Sequence, residues 1–201
     1  MALRYTLVFT VTALLITTTA HAADKQPNVL LVMADDMGWT DIGTFGSEIS
    51  TPNLDRLAKR GLTFTDFHVS VACSPTRSML MSGNDNHVAG LGNMGELLTE
   101  NQKGKPGYEG HLNDRVVTLA EVLREGGYHT YMAGKWHLGH GEGQLPFDRG
   151  FESSFSMLVG GASHYSDMLG ILPRDDPAAY SRNGKHLKEL PSDHYSSMSF
   201  A

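Results

Sequence analysis

The sequence predicts an α/β layer fold, and three observations carry the prediction. Residues Asn28 to Ala34 form a continuous apolar run stopped by Asp35-Asp36-Met37-Gly38. A run without alternation fits a strand buried on both faces in a parallel sheet. Helix starts follow at Thr51-Pro52-Asn53-Leu54 and at Thr118-Leu119-Ala120-Glu121, and the second leads into another strand candidate, Tyr128 to Ala133. Strands alternating with helices build layered α/β folds, whose ligands gather outside the carboxyl ends of the strands.

Taken in order, the first element is a targeting segment. Arg4 supplies a positive start, Leu7 to Ile16 an apolar stretch, and Ala20-His21-Ala22 a small-x-small cleavage signature. This reads as a secretory signal peptide over 1–22, cut after Ala22. The stretch is too short for a membrane anchor, which needs about 20 apolar residues. The mature chain, 23–201, is therefore expected to pass through the secretion machinery and to be secreted or periplasmic, with no membrane association after cleavage.

After the first strand, Thr51 caps a helix with Pro52 at its first position, Leu54, Leu57 and Ala58 share one face, and Gly61 ends it. Leu62 to Val69 alternates apolar and polar residues, as a half-buried strand does. Cys73 to Ser82 carries a short helix signal closed by Gly83. Thr118 and Glu121 form a capping box, and Gly126-Gly127 closes that helix. His129 falls within the following strand and reads as packed, whereas His87 has no assignable role. Beyond Arg174 the pattern weakens.

Composition bounds the function. Of 201 residues 40% are hydrophobic and 19% charged, which is ordinary for one globular domain and a tight fit for two. A formal net charge of -6 argues against broad binding of nucleic acid or anionic membranes, since both need a basic footprint. The lone Cys73 excludes an intramolecular disulfide and a thiolate zinc cluster.

Three constellations carry chemistry. In Cys73-Ser74-Pro75-Thr76-Arg77 the cysteine stands at a helix start, among free N–H groups that favour anions, and Arg77 shares its face one turn later. The plain alternative is a buried structural cysteine beside a surface arginine. Asp35 and Asp36 are adjacent carboxylates, hard oxygen donors suited to Ca²⁺ or Mg²⁺. Both reach one ion only if the chain bends, which Gly38 makes plausible; a solvated acidic turn is the alternative. In Gly134-Lys135-Trp136-His137, an extended backbone would point Lys135 and His137 the same way. Lys135 could then meet an anion and His137 serve as donor or acid–base group. A solvated lysine and a packed histidine remain the alternative.

These three motifs, in this order and at these separations after a signal peptide, resemble the type I sulfatases, in particular the amino-terminal part of a secreted bacterial arylsulfatase. The similarity runs from about Asn28 to about Asp167, and more weakly through Asp193-His194-Tyr195-Ser196-Ser197. The resemblance implies an alkaline-phosphatase-like fold with a mixed, largely parallel sheet sandwiched by helices, incomplete at its carboxyl end. It implies that a formylglycine-generating maturation enzyme oxidises Cys73 to formylglycine, with Pro75 and Arg77 as recognition residues. The substrate would be a small-molecule sulfate ester. Asp35, Asp36 and the modified Cys73 would bind Ca²⁺, Arg77 would anchor the formylglycine, Lys135 would bind the sulfate, and His137 would hydrogen-bond a formylglycine hydroxyl. Ser163 and His164 would line the sulfate pocket.

Members of that family are much longer. They complete the Ca²⁺ site with an Asp-Asn pair, and add a His and a second Lys, from later in the chain. The chain thus reads as a truncated catalytic domain over 23–201, with apolar strand faces left exposed. Two further readings stand beside sulfate ester hydrolysis: a phosphonate or phosphate monoester hydrolase of the same superfamily, and a fragment without catalysis.

Overall fold

The structure, a computed structural model, describes residues 26–201; the signal segment read at 1–22 lies outside them. The chain divides into two units, residues 1–35 and residues 36–201.

In the second unit, local sequence sets several element ends. Helix α1 spans Pro52–Arg60 with Pro52 at its first position and Gly61 closing it. The Thr51 hydroxyl does not cap it. That hydroxyl accepts from the Gly43 amide at 2.8 Å and donates to Asp55 Oδ1 at 3.0 Å. Helix α2 spans Cys73–Ser82 and ends at Gly83 in the left-handed region, φ 66°. Helix α3 spans Leu119–Glu125, and both halves of the Thr118–Glu121 capping box are formed.

Strand β1, Tyr131–Lys135, starts and ends slightly later than expected. It pairs in parallel with β2, Ser153–Met157, in register Tyr131↔Ser153 through Lys135↔Met157. Strands β3 (Tyr180–Arg182) and β4 (Lys185–Leu187) continue the sheet antiparallel, in the order β1-β2-β3-β4. The β3–β4 turn is Asn183-Gly184, with φ of 48° and 77°. That pair suits the two-residue hairpin turn whose central residues both need positive φ. The result is the mixed α/β sheet expected, with β1–β2 as its parallel pair among the described strands. A short final helix, α4, covers Ser196–Ser199.

Leu91, Leu112, Trp136, Leu138 and Leu158 are buried together beneath the end of β1. Tyr180, Met168, Ala178 and Leu190 form a second buried cluster beside β3. Arg149 is buried under α3, where it donates to the carbonyls of Leu112 and Val116 at 2.9 and 2.8 Å. Among the described residues neither carbonyl takes a backbone amide, and a fixed cation with several donors stands in for one.

Several expectations are corrected. Residues 28–34 form no strand, and Leu30 and Val32 are 88% and 77% exposed. Leu62 to Val69 likewise forms no strand, and Leu62, Phe64, Phe67 and Val69 are exposed. A strand needs a neighbour to take its backbone hydrogen bonds, and neither run pairs with one among the described residues. Apolar sequence therefore predicts strand propensity but not pairing. Leu54 and Leu57 on α1 are also exposed rather than packed. His129 lies on the surface, where it pairs with Glu152 at 2.8 Å.

Candidate active site

The site forms where the start of α2 meets the end of β1. Cys73 is the first residue of α2, after Ala72 in extended conformation, and is half-buried. Its Sγ lies 3.4 Å from Nδ1 of His137 and 3.5 Å from Sδ of Met94. Arg77, one turn along α2, is buried and donates from Nη1 to the carbonyl oxygen of Lys135 at 2.7 Å. That bond fastens the helix to the last residue of β1, so positions 73, 77, 135 and 137 are gathered by two elements.

His137 reaches the site by a different route from the one expected. Its φ is 55°, in the left-handed region that non-glycine residues seldom adopt, so the extended alternation of Lys135 and His137 is broken at His137 itself. Trp136 holds the turn: its amide donates to Met157 O at 2.8 Å and its Nε1 to Gln144 O at 2.9 Å. Backbone strain of this kind persists where surrounding packing fixes it, and it concentrates at functional sites.

Behind the histidine stands a residue that sequence reasoning missed. Oε1 of Glu96 lies 2.9 Å from Nε2 of His137, and both side chains are largely buried. Glu96 sits in the 3₁₀ turn Gly95–Leu97. Asn93 braces that turn, accepting from the Met94 amide at 2.8 Å and donating to Leu97 O at 3.2 Å. Gly160 closes over the pair: a Cβ there would lie 3.0 Å from both Glu96 Oε1 and His137 Cε1.

Electrostatics follow this geometry. The His137 hydrogen bond, opposed by burial and aided by the charges of His137 and Lys135, holds the Cys73 thiol below its ordinary range. The same His137 contact, against burial, lowers the Glu96 carboxyl. For His137, burial pulls the imidazole down, but its bonds to Cys73 and Glu96 more than offset this and raise it. The arrangement suits an anion or a polarised hydroxyl at position 73.

A family profile described as Sulfatase matches residues 27–182. The chain belongs to the sulfatase family. It is 50% identical over 189 residues to an uncharacterized sulfatase of Schizosaccharomyces pombe, covering 87% of this chain and 34% of that protein. It is 45% identical over 184 residues to an arylsulfatase of Klebsiella aerogenes, covering 90% of this chain and 39% of that one. Among solved structures it superposes on Ps i-CgsB with a TM-score of 0.69 at 29% identity, covering 87% of this chain and 39% of that one. For the PsFucS1 sulfatase from Pseudoalteromonas sp. the values are 0.62, 26%, 83% and 36%. The chain thus spans between a third and two-fifths of the length of these sulfatases.

The remaining predicted residues of this sulfatase-family chain are placed as follows. Asp36 is exposed and takes φ 54°, so the chain bends at Asp36 itself; Gly38 is extended. Asp35 closes the first unit. Ser163 is held within its own loop, and His164 is tied to the start of α4. The Ser163 hydroxyl accepts from the Tyr165 amide at 3.2 Å, and His164 Nδ1 meets Ser196 Oγ at 2.5 Å. It is at Gly160, three residues before Ser163, that an added Cβ would meet the Glu96–His137 pair.

The donor set can be tested against Ca²⁺, which takes roughly six to eight oxygen ligands. Among the described residues no group of three or more His, Cys, Asp or Glu side chains gathers to hold a metal. Two adjacent carboxylates are the right chemistry but too few, so the described residues do not make a complete Ca²⁺ site.

Proposed function

We propose that this site, in the complete protein, hydrolyses small-molecule sulfate esters. The observation that carries the reading is the contact of Cys73 with His137 at 3.4 Å, with Arg77 fastened to the Lys135 carbonyl. Family membership supports it, as does an arylsulfatase among the relatives. The reading includes an amino-terminal signal that directs export, and a maturation enzyme that converts Cys73 to formylglycine. A hydrated formylglycine would supply one hydroxyl to attack sulfur, with the ester S–O bond breaking and the alcohol or phenol leaving, and a second whose deprotonation would re-form the aldehyde as sulfate departs.

The chain's own residues have distinct tasks. Nδ1 of His137 faces the side chain at 73 and is placed to take the proton of the second hydroxyl. Lys135 brings positive charge to the incoming anion, where charge stabilisation in a partly dry site counts most. Arg77 holds the end of β1 against α2 and so fixes the distance between positions 73 and 137. Ser163 and His164 are assigned to the outer lining of the sulfate pocket. Asp35 and Asp36 are assigned to a Ca²⁺ site that needs further oxygen donors from outside the described residues.

The test is co-expression with a maturation enzyme, intact-mass analysis, and assay on paired aryl sulfates and aryl phosphonates with added Ca²⁺. Formylglycine at position 73 with faster turnover of the sulfate supports the reading. A free thiol throughout, or faster turnover of the phosphonate, overturns it.

A further inference from the structure

We infer that Glu96 is the positioning residue of this site: its carboxylate accepts the Nε2–H of His137 and so fixes the ring with the Nδ1 lone pair aimed at position 73. The inference rests on the proposed reaction only for what His137 acts upon.

Three observations carry it. The first is distance, 2.9 Å from Glu96 Oε1 to His137 Nε2, on the side of the ring opposite the 3.4 Å contact of Nδ1 with Cys73. A carboxylate can only accept, so the nitrogen facing it must carry hydrogen, and in the neutral ring the other nitrogen must then be bare. The second is burial: the His137 side chain is 8% exposed and that of Glu96 19%. Little water can compete for Nε2, so the carboxylate is the acceptor that holds hydrogen there. The third is the frame. A Cβ at Gly160 would sit tightly, 3.0 Å from Glu96 Oε1 and His137 Cε1, and Asn93 braces the turn that carries Glu96. The ring itself hangs from a left-handed backbone at φ 55°, which aims the imidazole into this slot.

The chemistry follows from the polarity of the two bonds. With hydrogen on Nε2, Nδ1 can accept a proton from a hydroxyl at position 73. With hydrogen on Nδ1, it could only donate, and proton removal at that carbon would have no acceptor on this side. Glu96 therefore touches neither substrate nor the reacting carbon, yet it decides which way the proton can move.

The test reads the ring directly. The 201-residue chain carrying Cys73→Ser, in which the group at 73 stays a neutral hydroxyl, is labelled with ¹⁵N-histidine. Long-range ¹H–¹⁵N spectra are recorded at alkaline pH, with His137→Asn identifying the resonances. The expected result is a single Nε2–H tautomer for His137. Glu96→Ala should give a mixture of tautomers, and Glu96→Gln, which keeps the shape of the side chain, should weaken the preference. An Nδ1–H tautomer in the parent chain overturns the inference without any Glu96 variant having to fold. Unchanged His137 shifts in a folded Glu96→Gln or Glu96→Ala chain overturn it equally. In the matured enzyme, Glu96→Gln should lower kcat about tenfold or more with KM little changed, since the losses from second-layer partners commonly run to 10–100-fold. If the parent enzyme turns over no sulfate ester, the proposed function fails, and the imidazole spectrum still decides the role of Glu96.

Discussion

Cys73 and His137 stand 64 positions apart in sequence and meet at 3.4 Å, thiol against imidazole. The contact joins the first residue of a helix to a residue just past a strand, and Arg77 locks the two elements together through the Lys135 carbonyl. It also sets the acidity of the unmodified thiol, which His137 and then Lys135 hold below its ordinary range. Alkylation of the unmodified chain by iodoacetamide, followed across pH, should therefore give a midpoint below that of free cysteine. His137→Gln should move the midpoint up. An unmoved midpoint would show that the contact does not govern the thiol.

The Glu96–His137 pair predicts a pH window of stability. The folded Glu96 carboxyl is lowered, so its contribution is present above the ordinary carboxylate range and is lost as pH falls through the folded value. The folded His137 imidazole is raised, so its contribution is present below the ordinary imidazole range and is lost as pH rises through the folded value. Both contributions coexist between about pH 4.5 and about pH 6.5. Urea unfolding of the parent chain and of Glu96→Gln should differ most in that window, converge as pH falls below it, and differ by a smaller amount above it, where the ionised carboxylate still accepts from a neutral imidazole. A difference independent of pH would assign the variant's effect to packing alone.

Gly160 is limited by space, because a Cβ would lie 3.0 Å from Glu96 Oε1 and 3.0 Å from His137 Cε1. Gly160→Ala must displace one partner by a few tenths of an ångström. Small displacements of positioned groups are costly in rate. Turnover of an aryl sulfate by the matured enzyme should fall roughly tenfold, while the thermal midpoint changes little. A loss of stability with unchanged turnover would mean that the loop yields instead of the pair.

Much of this site was legible in the sequence because its residues sit at element ends, where local signals are strong. The start of α2 at Cys73 and its close at Gly83 fall where the helix and glycine signals put them, whereas β1 runs to Lys135, two residues past the expected end at Ala133. Glu96 was not legible. It lies 41 positions before His137 in a three-residue turn, and nothing in Gly95-Glu96-Leu97 marks it apart from any acidic loop. The geometry of His137 was misread for a related reason: strand alternation was carried two residues too far, and left-handed backbone at a histidine has no sequence signature. The Asn183-Gly184 turn did carry a usable signal, a two-residue hairpin pair, within the stretch beyond Arg174 where the pattern weakens. The opposite failure occurs at 28–34 and 62–69. Apolar content was read there as buried strand, but burial depends on partners that a local pattern cannot supply.

His194 gives the last prediction. It is 4% exposed, and among the described residues neither of its ring nitrogens meets a hydrogen-bond partner. The rings of Phe155, Tyr180 and Phe200 surround it at 6.0, 5.9 and 6.1 Å, each nearly edge to face. Edge-to-face packing rewards the aromatic ring, but two unpartnered nitrogens in a dry aromatic cage lose their hydration with little in return. His194→Phe keeps the ring and removes the polar atoms, at the risk of some crowding from its larger volume. The balance favours a gain of about 1 kcal/mol. His194→Asn keeps polarity and loses ring contacts, and should destabilise the chain. Urea unfolding of the two variants beside the parent settles the order. A His194→Phe destabilised as much as His194→Asn would overturn the expected order and assign the cost to crowding or to nitrogens satisfied in solution.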